Sequence, residues 1–169
     1  MKCLVFSDSH GCSQYMEKAL SLHPDTEVVF FLGDGIYEAE LLSRHYPAVA
    51  WISVRGNCDR YSDPFSYPIK KTERINLCAF NIVLTHGDLY GAKMGYGGLL
   101  HLAGEKNADI LLFGHTHCPE YKYFDEADGA RTKPLHLFNP GSISASSGSY
   151  GILILDKKPS FSHGNLLAT

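Results

Sequence analysis

The 169-residue sequence contains no run of eighteen or more apolar residues, so no membrane-spanning helix is expected of it. Nor is there a basic excess: 15 Lys and Arg stand against 18 Asp and Glu, a formal net charge of −3. Extended nucleic acid and anionic lipid are therefore poor partners, although a nucleotide small enough for a pocket stays compatible. Cysteine is sparse. Cys3, Cys12, Cys58, Cys78 and Cys118 are odd in number and show no Cys-x-x-Cys spacing, which fits a reducing cytoplasm better than a disulfide framework. Met1-Lys2 runs straight into an apolar stretch, leaving no room for a signal peptide. The glycine-rich residues 91–98 have neither dinucleotide-binding nor P-loop spacing and read as a mobile loop. With no internal repeat and no compositional boundary, residues 1–169 read as a single domain able to bury a substantial core. Histidine, by contrast, is plentiful, and where the nine residues fall matters more than their number.

Several apolar runs end beside a glycine and a polar residue. Lys2–Phe6 (KCLVF) predicts a buried strand that stops at Ser7-Asp8-Ser9-His10-Gly11. Ser13 predicts the N-cap of a helix running to about Leu22, stopped by His23-Pro24. Residues 27–32 (EVVFFL) predict a second strand ending at Gly33-Asp34-Gly35. Ile36, Ala39, Leu42 and Tyr46 then have helical spacing, closed by Pro47. Residues 49–54 predict a third strand with Arg55-Gly56-Asn57-Cys58-Asp59 at its tip, and residues 60–68 an irregular connection. Residues 66–75 and 78–84 predict an antiparallel pair joined near Asn76, the second running into Thr85-His86-Gly87-Asp88. A helix over residues 98–106 leads to residues 110–113 (ILLF). That run is apolar throughout, as suits burial on both faces, and it delivers Gly114-His115-Thr116-His117 to a sheet rim. Residues 120–124 and 134–138 predict a hairpin around Asp128-Gly129. Asn139-Pro140-Gly141-Ser142 reads as a sharp turn, residues 150–155 as a last buried strand, and the tail from Asp156 as an edge strand.

Asp8, His10, Asp34, Asn57, His86, His115 and His117 thus fall at the carboxyl ends of predicted strands, where open α/β folds place ligands. Taken singly, each reads as a turn or capping residue. Together, these oxygen and nitrogen donors are too many for one tetrahedral zinc and suit two divalent cations sharing a carboxylate. Asp34, between glycines, is the natural bridge. One cation would take Asp8, His10, Asp34 and His117, and the other Asp34, Asn57, His86 and His115. Two carboxylates against two such cations leave the centre positive, which favours an anionic phosphate ester and acidifies a bridging water. Cations ~3.5–4 Å apart can also hold attacking and leaving oxygens in line. The donor set contains no thiolate and suits Mn, Ni, Co, Fe or Zn. Cys12, Cys58 and Cys118 adjoin it and read as small packing residues.

The ordered blocks Asp8-Ser9-His10, Gly33-Asp34, Gly56-Asn57-Cys58-Asp59, Thr85-His86-Gly87-Asp88 and Gly114-His115-Thr116-His117 resemble the motifs of the calcineurin-like metallophosphoesterases. The compact length and the Gly-Asn-Cys-Asp form resemble their small bacterial and archaeal phosphodiesterase branch. The resemblance implies an α/β fold, a four-layer αββα sandwich of two mixed β-sheets flanked by helices, with a dinuclear centre at one end. It implies the same division of ligands. It also implies hydrolysis of a small organic phosphate diester or nucleotide by a hydroxide bound to the two metals, with no covalent enzyme intermediate. Two departures stand out. Many relatives carry histidine where Cys58 stands, and a neutral thiol is a weak donor. Slow cleavage of poor leaving groups follows, or a proton drawn from water. Relatives also often follow Asn-Pro-Gly-Ser with Pro-Arg, whereas Ile143-Ser144-Ala145-Ser146 supplies no arginine.

His23, His45, His101, His136 and His163 read as structural or surface residues, and Tyr61, Lys93 and Tyr96 as candidates for a pocket wall. Two alternatives remain: a phosphomonoesterase of the same fold, against which the missing histidine argues, and a catalytically weak interaction scaffold resembling the retromer subunit of eukaryotes. The full set of seven donors favours hydrolysis. Homo-oligomerisation is left open.

Overall fold

The structure, a computed structural model, describes residues 1–59, 69–125 and 133–167. The expected irregular connection, Tyr61 and the Asp128-Gly129 turn lie outside the described residues. Among the described residues, ten strands and three helices follow one another. They are β1 (Lys2–Phe6), α1 (Ser13–Leu22), β2 (Val28–Phe31), α2 (Ile36–Ser43), β3 (Ala50–Ser53), β4 (Thr72–Leu77) and β5 (Phe80–Thr85). After two 3-10 turns come α3 (Gly97–Glu105), β6 (Ile110–Leu112), β7 (Pro119–Phe124), β8 (Leu135–Pro140), β9 (Ser149–Ile154) and β10 (Ser160–Asn165).

The strands form two five-stranded sheets, ordered β10-β9-β1-β2-β3 and β4-β5-β6-β8-β7. Both are mixed: in the first, β1, β2 and β3 run parallel to the edge while β9 and β10 add antiparallel pairs on the other side; in the second, β5, β6 and β8 run parallel between antiparallel edge strands β4 and β7. The apolar runs follow from this placement, because a strand covered on both faces needs no polar alternation. Cys3 and Val5 face an inner core with Phe30, Leu84, Leu112 and Phe138. Their neighbours Leu4 and Phe6 face outward against Met16 and Leu20 of α1 and Ile36 and Leu42 of α2. On the far side Val83 and Leu111 pack under Leu99 and Leu102 of α3. The layers are therefore helix, sheet, sheet, helix, as the motif resemblance implied.

Register aligns the strand ends. Phe6 lies opposite Phe31 and Phe31 opposite Ser53, while Leu84 lies opposite Leu112 and Leu112 opposite Phe138. The loops that leave these strands consequently share one rim. Phe6, Phe30, Phe31, Phe113 and Phe138 are fully buried beneath it, each worth about 1.5–3 kcal/mol of apolar burial.

Five local expectations need correction. Ser13 is the first helical residue of α1; Cys12 occupies the cap without a side-chain bond. Helix α2 stops at Ser43, after which the N–H groups of His45 and Tyr46 turn back to Leu42 and Ser43 in tighter bonds. The β4–β5 turn lies at Cys78-Ala79, since Leu77 pairs with Phe80. Both turn residues have positive φ, 50° and 67°, a conformation usually signalled by Asn-Gly, which is why the sequence pointed elsewhere. Asn139 and Pro140 complete β8 opposite Glu120 and Pro119, so the chain turns only at Gly141. Within residues 91–98, residues 92–94 form a 3-10 turn and Gly97 already belongs to α3.

Candidate metal centre

All seven expected donors come to the common rim. The first sheet supplies Asp8 and His10 after β1, Asp34 after β2 and Asn57 after β3. The second supplies His86 after β5, and His115 and His117 after β6. His86 Nε2 lies 3.4 Å from Asp34 Oδ2, 3.1 Å from Asn57 Oδ1 and 3.2 Å from His115 Nδ1. On the other side His117 Nε2 is 3.2 Å from Asp8 Oδ1 and 3.4 Å from His10 Nε2. Asp34 stands within ligand reach of both sets, grouping with His10 and with Asp8 and His86.

The backbone reaches this arrangement at a cost. Asp8, His10, Asp34, His115 and His117 have φ between 45° and 67°, the left-handed region that non-glycine residues seldom occupy. Asp8 is followed within six residues by Gly11, and Gly33 and Gly114 precede donors in the other turns. A Cβ at Gly56 would overlap Asp34 Oδ1, and one at Gly114 would overlap Ser7 Oγ. Glycine beside the donors is thus a packing requirement. Strain gathered at one rim is the usual mark of a functional site.

The donor set fits divalent cations on its own chemistry. Asp8 Oδ2 accepts hydrogen bonds from Ser7 Oγ at 2.6 Å and from the His115 N–H at 3.1 Å. Its other oxygen, Oδ1, is buried without a hydrogen bond and faces nitrogens of His117, His86 and His10 at 3.2, 3.9 and 4.0 Å. A buried carboxylate oxygen left this way costs about 1–3 kcal/mol or more. Four imidazoles whose ring nitrogens approach in pairs, at 3.4 and 3.2 Å, likewise want a cation between them. His86 is set for that role, because Nδ1 lies 2.8 Å from the Leu32 carbonyl and donates to it, leaving the Nε2 lone pair for a metal.

Electrostatics agree. Burial pushes the Asp34 carboxyl up, but His86 and the Cys58 N–H at 2.7 Å outweigh it and hold the group well below the carboxylate range. Burial pulls His86 down, yet its bond to Asp34 and the charge of Asp8 leave it raised. His115 is lowered by burial and by the charges of His86 and Lys93. Burial and Asp34 push the Cys58 thiol up to about 11, so it is neutral, as expected at that position.

The cysteines correct one reading. Cys12 is half-buried, while Cys58 and Cys118 are exposed; they ride on rim loops, outside the core. Cys58 Sγ accepts a hydrogen bond from Asn57 Nδ2 at 3.3 Å and lies within ligand reach of His10 and Asp34.

Several supporting residues went unread in the sequence. Asp59 accepts four backbone N–H bonds, from Asp34, Gly35, Ile36 and Gly56, at 2.8 to 3.0 Å. It ties the tip of β2 to the tip of β3. The buried Asn139 donates to Gly114 O and Thr116 Oγ1, both at 3.0 Å, and so holds the His115–His117 turn. Ser142 donates to Asp8 O at 2.8 Å. Their types were visible as turn residues, but nothing in the spacing revealed which loop each would hold. The other five histidines have local partners. His23 meets Tyr150, His45 meets Leu41 O, His101 meets Glu105, His136 meets Tyr121, and His163 meets Asn139 O. Tyr96 donates to Glu120.

A helix–sheet–sheet–helix sandwich with acidic and imidazole donors at the rim defines a metal-dependent phosphoesterase fold. Residues 1–158 match the calcineurin-like phosphoesterase superfamily domain, and the chain belongs to that family. It is 30% identical over 175 residues to the phosphodiesterase YfcE of Escherichia coli, covering 90% of this chain and 87% of the relative. A predicted phosphoesterase from Streptococcus pneumoniae superposes with a TM-score of 0.73 at 26% identity, covering 95% of this chain and 87% of that one. Vps29 of Entamoeba histolytica, crystallised with Zn2+, shares the fold with a TM-score of 0.69 at 21% identity, covering 97% and 98%.

Proposed function

We propose that this chain is a phosphodiesterase that hydrolyses a small organic phosphate diester or a nucleotide with two divalent cations. Asp8, His10, Asp34 and His117 would hold one, and Asp34, Asn57, His86 and His115 the other. The observation that carries the reading is the buried, unbonded Asp8 Oδ1 set among three imidazole nitrogens. Divalent cations held by these residues would acidify water and supply positive charge for the reacting phosphate. The protein's own part is orientation. Asp59 fixes the Asp34 turn against Gly56, Leu32 O sets the His86 tautomer, and Ser142 and Ser7 fix Asp8 from both ends. The neutral Cys58 thiol offers the leaving group only a weak proton donor, which favours activated diesters over monoesters. Among the described residues no helix is long and apolar enough to cross a membrane, and the unpaired cysteines agree with a cytoplasmic setting.

The test is turnover of bis-p-nitrophenyl phosphate against p-nitrophenyl phosphate, with Mn, Ni or Co supplied. The diester is the expected substrate, cleaved only with metal present. Preference for the monoester would shift the reading to a phosphomonoesterase, and no turnover of either would favour an interaction scaffold.

A further inference from the structure

On the Asn57 side of the rim a lysine crosses from one sheet to the other. Lys71 immediately precedes β4 in the second sheet, where Thr72 lies opposite Thr85. Its own carbonyl accepts a hydrogen bond from Thr85 Oγ1 at 3.4 Å, which fixes its backbone beside the loop that carries His86. The Lys71 ammonium donates to the Gly56 carbonyl, in the loop after β3 of the first sheet, at 2.7 Å. It also lies 3.4 Å from Asp88 Oδ2, two residues beyond His86. Lys71 and Asp88 leave only 28% and 15% of their side chains exposed, so the pair is screened less than one on open surface.

The Gly56 carbonyl belongs to the peptide group that leads into Asn57. Gly56 is buried, so that carbonyl needs a partner, whereas Asn57 itself is exposed. The Asn57 side chain meets His86 Nε2 at 3.1 Å and Cys58 Sγ at 3.3 Å. The first is a contact between two donors meant for one cation, and the second is with a weak acceptor. Placement of the amide therefore falls to the backbone. Two ties flank it: the Cys58 N–H on Asp34 Oδ1 at 2.7 Å, and Lys71 on Gly56 O. Charge alone argues against a lysine here, because an ammonium one residue from a metal ligand repels the cation. Asp88 offsets that repulsion and leaves a charge-assisted hydrogen bond to do the holding. We propose that Lys71, steadied by Asp88, is a positioning residue that sets Asn57 against His86 for the cation assigned to Asp34, Asn57, His86 and His115. This rests on the two-cation reading above and deepens it.

The experiment is calorimetric titration of the metal-stripped full chain with Mn. Lys71→Met should weaken one of the two equivalents about tenfold, as expected for a group that orients a ligand without touching the metal, and leave the other within about twofold. The weakened equivalent should be the one that His117→Ala retains. Lys71→Arg, which keeps a charged donor, should restore it to within about threefold. Repulsion alone predicts the opposite sign, so tighter Mn binding in Lys71→Met overturns the inference. Unchanged binding overturns it too, and so does equal weakening of both equivalents, the mark of general loosening, or failure of Lys71→Arg to restore affinity. Melting of the metal-free protein checks folding. If Lys71→Met does not fold, Lys71→Gln, uncharged and one bond shorter, carries the same prediction. Fewer than two equivalents in the unaltered chain overturns the two-cation reading and this inference with it. Two equivalents that Lys71→Met leaves untouched overturn the inference alone.

Discussion

The two donor sets of the candidate centre are built differently. Around His86, which is completely buried, the side chains are held before any ligand arrives. Its ring is fixed by Leu32 O, Asp34 is fixed by the Cys58 N–H, and both turns are tied to Asp59. Around Asp8 the carboxylate is equally buried, but the rings of His10 and His117 are 37% and 47% exposed. Neither ring has a hydrogen-bond partner among the described residues beyond its contact with the other. The inner set is held by protein groups, whereas the outer rings are not, so on the proposed reading a cation would order the outer set. A cavity lined by Glu38 also includes His10 of the outer set, so on the proposed reading it adjoins the looser donors.

Removing the shared residue breaks both sets at once. Asp34→Ala should lower diester turnover by about a thousandfold or more, read from kcat/KM with saturating Mn. His86→Ala and His117→Ala should then separate the two. Losing the buried imidazole leaves Leu32 O and Asp34 Oδ2 without the ring that meets them, and should destabilise even the metal-free protein by about 1–3 kcal/mol in denaturant titrations. His117→Ala should leave metal-free stability within about 0.5 kcal/mol while weakening the outer cation. Equal destabilisation by both would erase the distinction. Asp59→Asn should lower metal affinity by about 10–100-fold, as expected for a group that orients ligands without touching the metal, with calorimetric titration as the readout.

The smallest effect is in pH. His86 is raised above its ordinary 6.5, so in metal-free protein its contribution is fully present below that value and lost as pH rises through the raised value. Asp34 is lowered from 3.8, so its contribution is present above that value and lost as pH falls. With chelator present, stability from this pair should thus be greatest between the two ordinary values, 3.8 and 6.5, and decline as pH rises above 6.5 through the raised value. His86→Gln should remove the decline.

Much of this was legible in the chain. Runs such as KCLVF and ILLF are apolar because both faces are covered, and glycine-ended runs announced strand tips with seven candidate donors, which the structure brings to one rim; the αββα layers came from the motif resemblance. The supports were not legible. Asp59 resembles any turn aspartate, because three of the four N–H groups it accepts come from a loop more than twenty residues earlier. The Cys78-Ala79 turn carries none of the residues its backbone usually demands. Spacing along a chain reports which strand ends share a rim, but not which side chains cross between loops.

The most direct measurement is the metal content of protein dialysed against Mn and freed of unbound ion. Two equivalents per chain are predicted, falling towards one in His117→Ala and below one in Asp34→Ala. A content under one equivalent in the unaltered protein, or two that survive Asp34→Ala, would contradict a centre bridged by that aspartate.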